Sequence, residues 1–217
     1  MDSRTALRYK WTMDTARRRG RRWTRSRDEL LAATLTVAAA RGYDGLRFSD
    51  VARATDVPIS SLQYYFGTRD ALVREAVCQG VRAEVARCRH EVEQIADPWE
   101  RMTAFIAWGI DLDDDTRREG WLIWTEYWRA ALRDPSLLAD SADLAAQWRA
   151  IIGSIVDAGI ASGDFGVDGP VDDAIAEILA LVDGLGVQLM VGDQALTATR
   201  AVDIATAAAR RVLRPGG

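Results

Sequence analysis

An all-α fold is predicted for this chain of 217 residues, with a three-helix helix-turn-helix unit at the N-terminus and a larger helical domain after it. Three observations predict it. Apolar residues recur at helical spacing through nearly every segment beyond residue 27. No segment alternates apolar and polar residues as a half-buried strand would. The stretch 46–70, LRFSDVARATDVPISSLQYYFGTRD, reads as two short helices across a tight turn.

Taken in order, residues 1–25 lack a helical period and read as a basic flexible arm, densest at Arg17, Arg18, Arg19, Arg21 and Arg22. Either Met1 or Met13 could start translation. Helices are expected over 28–41, 49–55, 59–66, 69–95, 98–112, 116–133, 136–161, 171–191 and 196–213, with ends uncertain by a few residues. In 49–55, Leu46, Phe48, Val51 and Ala52 give an apolar face and Ser49 can cap the start. Pro58 suits the start of 59–66, where a missing N–H costs nothing. Ile59, Leu62 and Phe66 recur at i, i+3 and i+7 and face inward. Gly67 ends that helix and Thr68 caps the next. Asp97-Pro98 starts one helix, Asp134-Pro135-Ser136 parts two others, and 162–170 is the clearest loop. The domains are then 1–25, 26–72 and 73–217.

Charge is asymmetric. The formal net charge is −4, yet residues 1–27 carry ten Arg or Lys against two Asp, whereas 76–217 carry thirteen against twenty-three acids. A basic end on an acidic body suits a DNA binder with a separate regulatory part. The arm would lie in a minor groove or along phosphates. In the helix-turn-helix reading, Ser60, Ser61 and Gln63 meet bases, Gln63 suiting adenine N6 and N7. Tyr64, Tyr65, Thr68 and Arg69 hold phosphates. Ser49, Pro58 and Ile59 complete the set expected at DNA.

The segment Leu62-Gln63-Tyr64-Tyr65-Phe66-Gly67-Thr68-Arg69-Asp70, together with Ala32, Ala33, Val37, Ala38, Gly42 and Tyr43, resembles the TetR family of bacterial transcriptional regulators. Gln63, Ser60 and Asp56 depart from the family's frequent Tyr, Gly and Gly. The stretch Trp121–Pro135, with Trp-Arg-Ala-Ala-Leu-Arg-Asp-Pro, looks most like the choline-responsive subgroup. The resemblance implies a two-fold homodimer through residues 171–213, a palindromic double-stranded DNA operator, and a repressor released by a small effector. Leu185 would lie at the dimer seam, and helix 69–95 would carry motion between the domains.

The C-terminal part has its own signals. Helix 98–112 is apolar nearly all round and belongs in the middle of a domain. Trp121, Trp124 and Trp128 form a stripe with Tyr127 on its flank. With Met102, Phe105, Trp108 and Trp148 they are the expected walls of a pocket for an apolar aromatic or cationic effector. A second reading makes the chain an α-helical enzyme or carrier using that cavity. No catalytic motif, phosphate-binding glycine loop, metal cluster or cofactor signature is found. His90 reads as a surface residue. Cys78 and Cys88, about 15 Å apart along one helix, read as free thiols in a reducing cytoplasm. No apolar run reaches membrane-spanning length, and the N-terminus is too basic for a signal peptide.

Overall fold

A computed structural model describes residues 25–42, 44–112, 115–132, 135–192 and 194–214. The five arm arginines from Arg17 to Arg22 and both candidate start methionines lie outside the described residues. Among these residues the architecture is nine α-helices, as the periodicity predicts. They are α1 (Arg27–Arg41), α2 (Phe48–Thr55), α3 (Ile59–Phe66), α4 (Arg69–Glu93) and α5 (Pro98–Ile110). Then come α6 (Asp115–Ala131), α7 (Pro135–Ser162), α8 (Val171–Met190) and α9 (Ala198–Val212). One departure is a two-residue antiparallel ladder, β1 (Gly166–Val167) with β2 (Leu213–Arg214), pairing Val167 with Leu213. Two residues are too few to leave an alternating pattern in a sequence.

The N-terminal three helices close on a small core of Leu30, Leu31, Ala38, Leu46, Val51, Val57, Leu62 and Phe66. Ser26 and Glu29 cap α1 reciprocally: Ser26 Oγ accepts from Glu29 N at 3.2 Å and Glu29 Oε2 accepts from Ser26 N at 2.7 Å. The cap of α2 corrects the expectation for Ser49. The helix begins one residue earlier, at Phe48, so Ser49 lies inside its first turn. The start is held instead by Asp50, whose carboxylate accepts from Arg47 N at 3.0 Å. Asp56 turns the chain with φ 56°, a left-handed conformation that Asp tolerates. Thr68 caps α4 by accepting from Ala71 N at 3.1 Å.

Helix α4 runs from this unit into the larger one. Its buried line of Leu72, Val73, Ala76, Val77, Val81, Val85, Cys88 and Val92 packs on α1 behind and on α5, α6 and α7 ahead. Both cysteines are buried and free, and burial pushes the Cys88 thiol up to about 12. Helix α5 sits at the centre, with Met102, Phe105, Ile106, Trp108 and Ile110 buried against α7, α8 and α9. The loop after α7 is pinned by Phe165, whose ring takes the space a Cβ on Gly159 would need. Trp99 meets Phe165 at 4.5 Å and carries the Arg210 guanidinium over its face at 4.4 Å, which ties α5, the loop and α9 together.

Candidate functional site

Two surfaces carry the candidate chemistry. The first is the outer face of α3. Pro58, Ile59, Ser60, Gln63, Tyr64 and Tyr65 are exposed, Tyr64 at 83% of its full surface. Ser61 is half-buried. Ile59 corrects the inward-facing set. It is 41% exposed, whereas Leu62 and Phe66 are buried. The reason is position: Ile59 opens the helix, and the inner face of so short a helix is already filled by Leu62 and Phe66. A single apolar side chain thus stands beside Ser60 and Gln63, where a thymine methyl could meet it.

Tyr64 and Tyr65 stand edge to face at 5.2 Å. Thr68 is exposed, but its hydroxyl oxygen already caps α4. Arg69 is half-buried, donating from Nε to Leu46 O at 3.0 Å and pairing with Asp70. It therefore holds the turn before α2 in place at least as much as it faces outward. Arg25 donates to Thr55 O at 3.0 Å, which ties the residue ahead of the α1 cap to the end of α2.

The second surface is a cavity of about 380 Å³, partly open to solvent, lined by residues of α1, α4, α5, α6, α7 and α8. Phe105, Trp108, Trp121, Trp124, Trp128 and Trp148 all line it. Two expected residues do not. Met102 is wholly buried in the α5 core. Tyr127 is wholly buried under α7, its hydroxyl 3.4 Å from Leu137 O and 3.5 Å from the Asp140 carboxylate. A helix turns about 100° per residue, which carries Tyr127 off the stripe and into the core. It still touches the site, stacking on Trp124 at 6.2 Å with rings 12° from parallel.

The tryptophans are held in different ways. Trp121 donates from Nε1 to Gly109 O at 3.0 Å, and its ring fills the space beside Gly186 where a Cβ would overlap it. Trp128 meets Trp124 at 5.1 Å and Trp121 at 6.5 Å. Trp148 meets Phe105 at 6.5 Å. Trp108 is already engaged: Arg117 lies over its ring at 4.6 Å and Arg87 at 5.7 Å. Of the lining tryptophans, Trp108 alone is shown with guanidinium groups over its ring among the described residues.

Sequence reading missed the charged lining. Glu84, Arg117, Glu119, Arg149 and Asp183 reach this cavity from four helices. Glu84 pairs with Arg87, and Arg117 with Asp111 at 3.5 Å. Asp183 on α8 differs. It is half-buried and has no hydrogen-bond donor or cation beside it among the described residues. Burial alone pushes its carboxyl from its ordinary 3.8 up to about 6. The signal was present as one acid inside the apolar run Ile178–Leu189. Among the described residues no group of three or more His, Cys, Asp and Glu is placed to hold a metal ion.

The family described as bacterial regulatory proteins, tetR family, matches residues 30–76. That described as BetI-type transcriptional repressor, C-terminal, matches 98–214, more than half of the chain. The chain belongs to the TetR family. Its C-terminal half is of the BetI type within it. A curated TetR-family relative, the HTH-type transcriptional regulator BetI of Burkholderia cenocepacia (strain HI2424), is 28% identical over 113 residues. That is 51% of this chain and 57% of the relative, so the chain spans little more than half the length of the curated relatives it matches.

Solved structures cover more. A TetR-family regulator from Rhodococcus sp. is 26% identical, with TM-score 0.75, covering 86% of this chain and 97% of that one. A transcriptional regulator from Saccharomonospora viridis, solved with choline, has TM-score 0.75 at 23% identity, covering 83% and 93%. FadR of Bacillus subtilis, solved with stearoyl-CoA, has TM-score 0.67 at 17% identity, covering 86% and 97%. The last two likenesses concern the fold alone.

Proposed function

We propose that this TetR-family chain is a homodimeric repressor that holds a palindromic operator through α3 and releases it when an apolar cation enters the tryptophan cavity. The observation that carries the effector half is Asp183, a half-buried carboxylate raised by burial alone, on the wall of a cavity that six aromatic rings also line. A buried charge without a partner is costly. A guest cation removes that cost, and the half-buried rings of Trp124 and Trp128 on the same wall attract the same charge. A neutral guest of the same shape gains the rings but leaves the carboxylate unpaired. Residues 26–72 are read as the DNA-binding domain, with the arm adding sequence-independent affinity for phosphate. The protein acts in the cytoplasm, and none of its described helices is long and apolar enough to cross a membrane. Regulation rather than catalysis is its role.

The dimer seam is read on the outer faces of α8 and α9. Leu185 does not belong to it, because it is 6% exposed and packs inside its own chain. The open stripe on α8 is Glu177, Ala180, Gly184, Val187 and Gln188, with Val191 just past its end, and Ile204 and Ala207 are open on α9. Small residues at Ala180, Gly184 and Ala207 permit close approach of helices.

Tryptophan emission titrated with choline and with its neutral isostere 3,3-dimethyl-1-butanol tests the effector reading. Choline is expected to bind more tightly, and to release a DNA fragment selected by the protein. Asp183→Asn is expected to weaken choline by roughly tenfold or more and to leave the neutral isostere unchanged. Equal binding of choline by both proteins would place the cation elsewhere.

A further inference from the structure

The cavity holds unpaired charges of opposite sign at different depths. Its floor is apolar and buried, at Val81, Phe105, Trp108, Ile123 and Val182. Asp183 stands half-buried among the rings, whereas Arg149, on α7, is exposed at the rim with Ala145 and Ala180. The other lining arginine, Arg117, is engaged by Asp111 at 3.5 Å and by the Trp108 ring. Glu84 pairs with Arg87. The Arg149 guanidinium makes no ion pair or hydrogen bond among the described residues, with Asp183 or with any other group. The rim's acid, Glu119, is exposed and belongs to a different helix, α6.

The register of α7 against α8 sets the distance between Asp183 and Arg149. The two helices are joined by the short loop 163–170 and pack on one another, so they run in opposite senses. A Cβ on Gly153 would stand 3.8 Å from Ile175 Cδ1. Arg149 comes one turn before Gly153, and Asp183 two turns after Ile175. With a rise of 1.5 Å per residue, their levels differ by roughly 6 Å along the pair. A molecule a few atoms long spans that step. Choline alone fills only part of a cavity of about 380 Å³.

We propose that the effector is a zwitterion: its ammonium sits among the tryptophans against Asp183, and its anionic group, a carboxylate or phosphate a few atoms away, is held at the rim by Arg149. This rests on the reading of the cavity as the effector site and names the chemical class that the site takes. To a bare cation, Arg149 is a like charge at the entrance and opposes binding. To a zwitterion it is a partner, because its planar fork matches the oxygens of a carboxylate or phosphate. One small molecule then satisfies the half-buried acid and the rim arginine together, and amines that lack the anion are disfavoured.

The test titrates the 217-residue chain, by tryptophan emission and by calorimetry, with probes that share one trimethylammonium head: choline, phosphocholine and 4-(trimethylammonio)butyrate. At least one zwitterion is expected to bind more tightly than choline, and the tighter of the two identifies the anion as phosphate or carboxylate. Arg149→Gln is expected to weaken that zwitterion by about two- to fivefold, the range for an exposed charge pair, without weakening choline. Arg149→Glu is expected to reverse the preference in favour of choline. Choline binding more tightly than both zwitterions to the unaltered chain overturns the proposal and leaves the cation site at Asp183 standing. So does an equal loss of choline and zwitterion in Arg149→Gln. Zwitterion binding untouched by Asp183→Asn removes the cation from the cavity and overturns the effector-site reading along with the proposal, as does the absence of any heat or emission change with all of the probes. Sedimentation of Arg149→Gln is expected to match the unaltered chain. A change in its oligomeric state would assign Arg149 to the seam between copies and overturn its role at the rim.

Discussion

At the residue scale, the same physics separates side chains that fasten the fold from those that face a partner. Arg69 and Thr68 spend their polar atoms on Leu46 O and on the cap of α4, while Gln63 and Tyr64 are exposed on the outer face of α3. Gln63→Ala is therefore expected to weaken a cognate site by roughly 1–3 kcal/mol and to relax choice at one base pair, without altering affinity for random DNA. Competition binding with single-base operator variants reads this, and equal loss on random sequence would remove Gln63 from base reading.

Asp183 gives the second residue-scale expectation. Its pKa in the folded chain, about 6, lies above its ordinary 3.8, so the folded state binds the proton more tightly than the unfolded one. The cost of its charge is then fully present above pH 6, fades as pH falls from 6 toward 4, and is gone below that. Asp183→Asn should raise stability at pH 7.5 by up to about 3 kcal/mol and leave it unchanged at pH 4. Thermal unfolding of both proteins across that range checks the sign as well as the size. A gain that grows on acidification would contradict the unpaired-carboxylate geometry.

At the scale of elements, α6 and α8 show how one pair of helices builds a site. Gly186 exists in α8 because the Trp121 ring of α6 lies where its Cβ would be, and that ring is fixed by its bond to Gly109 O. Gly186→Ala improves the intrinsic helix propensity of α8 by up to about 1 kcal/mol. The overlap with a rigid indole outweighs this, at roughly 1–3 kcal/mol for overpacking. The net expectation is a lower midpoint in denaturant together with a shift in tryptophan emission, as Trp121 loses its carbonyl partner. A stabilised protein with unchanged emission would mean that α6 and α8 sit farther apart.

At the scale of the whole molecule, the chain leaves a stripe of α8 open to solvent, and Gly184 has nothing within 4 Å of a built Cβ. A single copy gains nothing from glycine there, since Ala is the better helix former. A second copy packed closely across the stripe would explain it. Gly184→Arg is expected to leave the helical content intact and to convert dimer to monomer in sedimentation, because a long charged side chain would have to be buried at the seam. A stable dimer after that change would move the interface off α8.

By itself the sequence determined the all-α class, the order of the helices, the helix-turn-helix between Phe48 and Phe66, and the shared face of Trp121, Trp124 and Trp128. These follow from local rules: periodicity, proline and glycine at helix ends, and a stripe at i, i+3 and i+7 that must share a face. Tertiary structure decided what depends on neighbours distant in the chain. It turned Ile59 outward, because Leu62 and Phe66 already filled the inner face of α3. It placed Tyr127 and Met102 in the core and buried Leu185 within its own chain, since residues on adjoining helical positions part according to which helix lies opposite. It also brought Asp183 to the tryptophans and Leu35 to the cavity wall. Neither could be read in advance, because burial of a charge and contact between remote helices are properties of the packed chain and not of any segment within it.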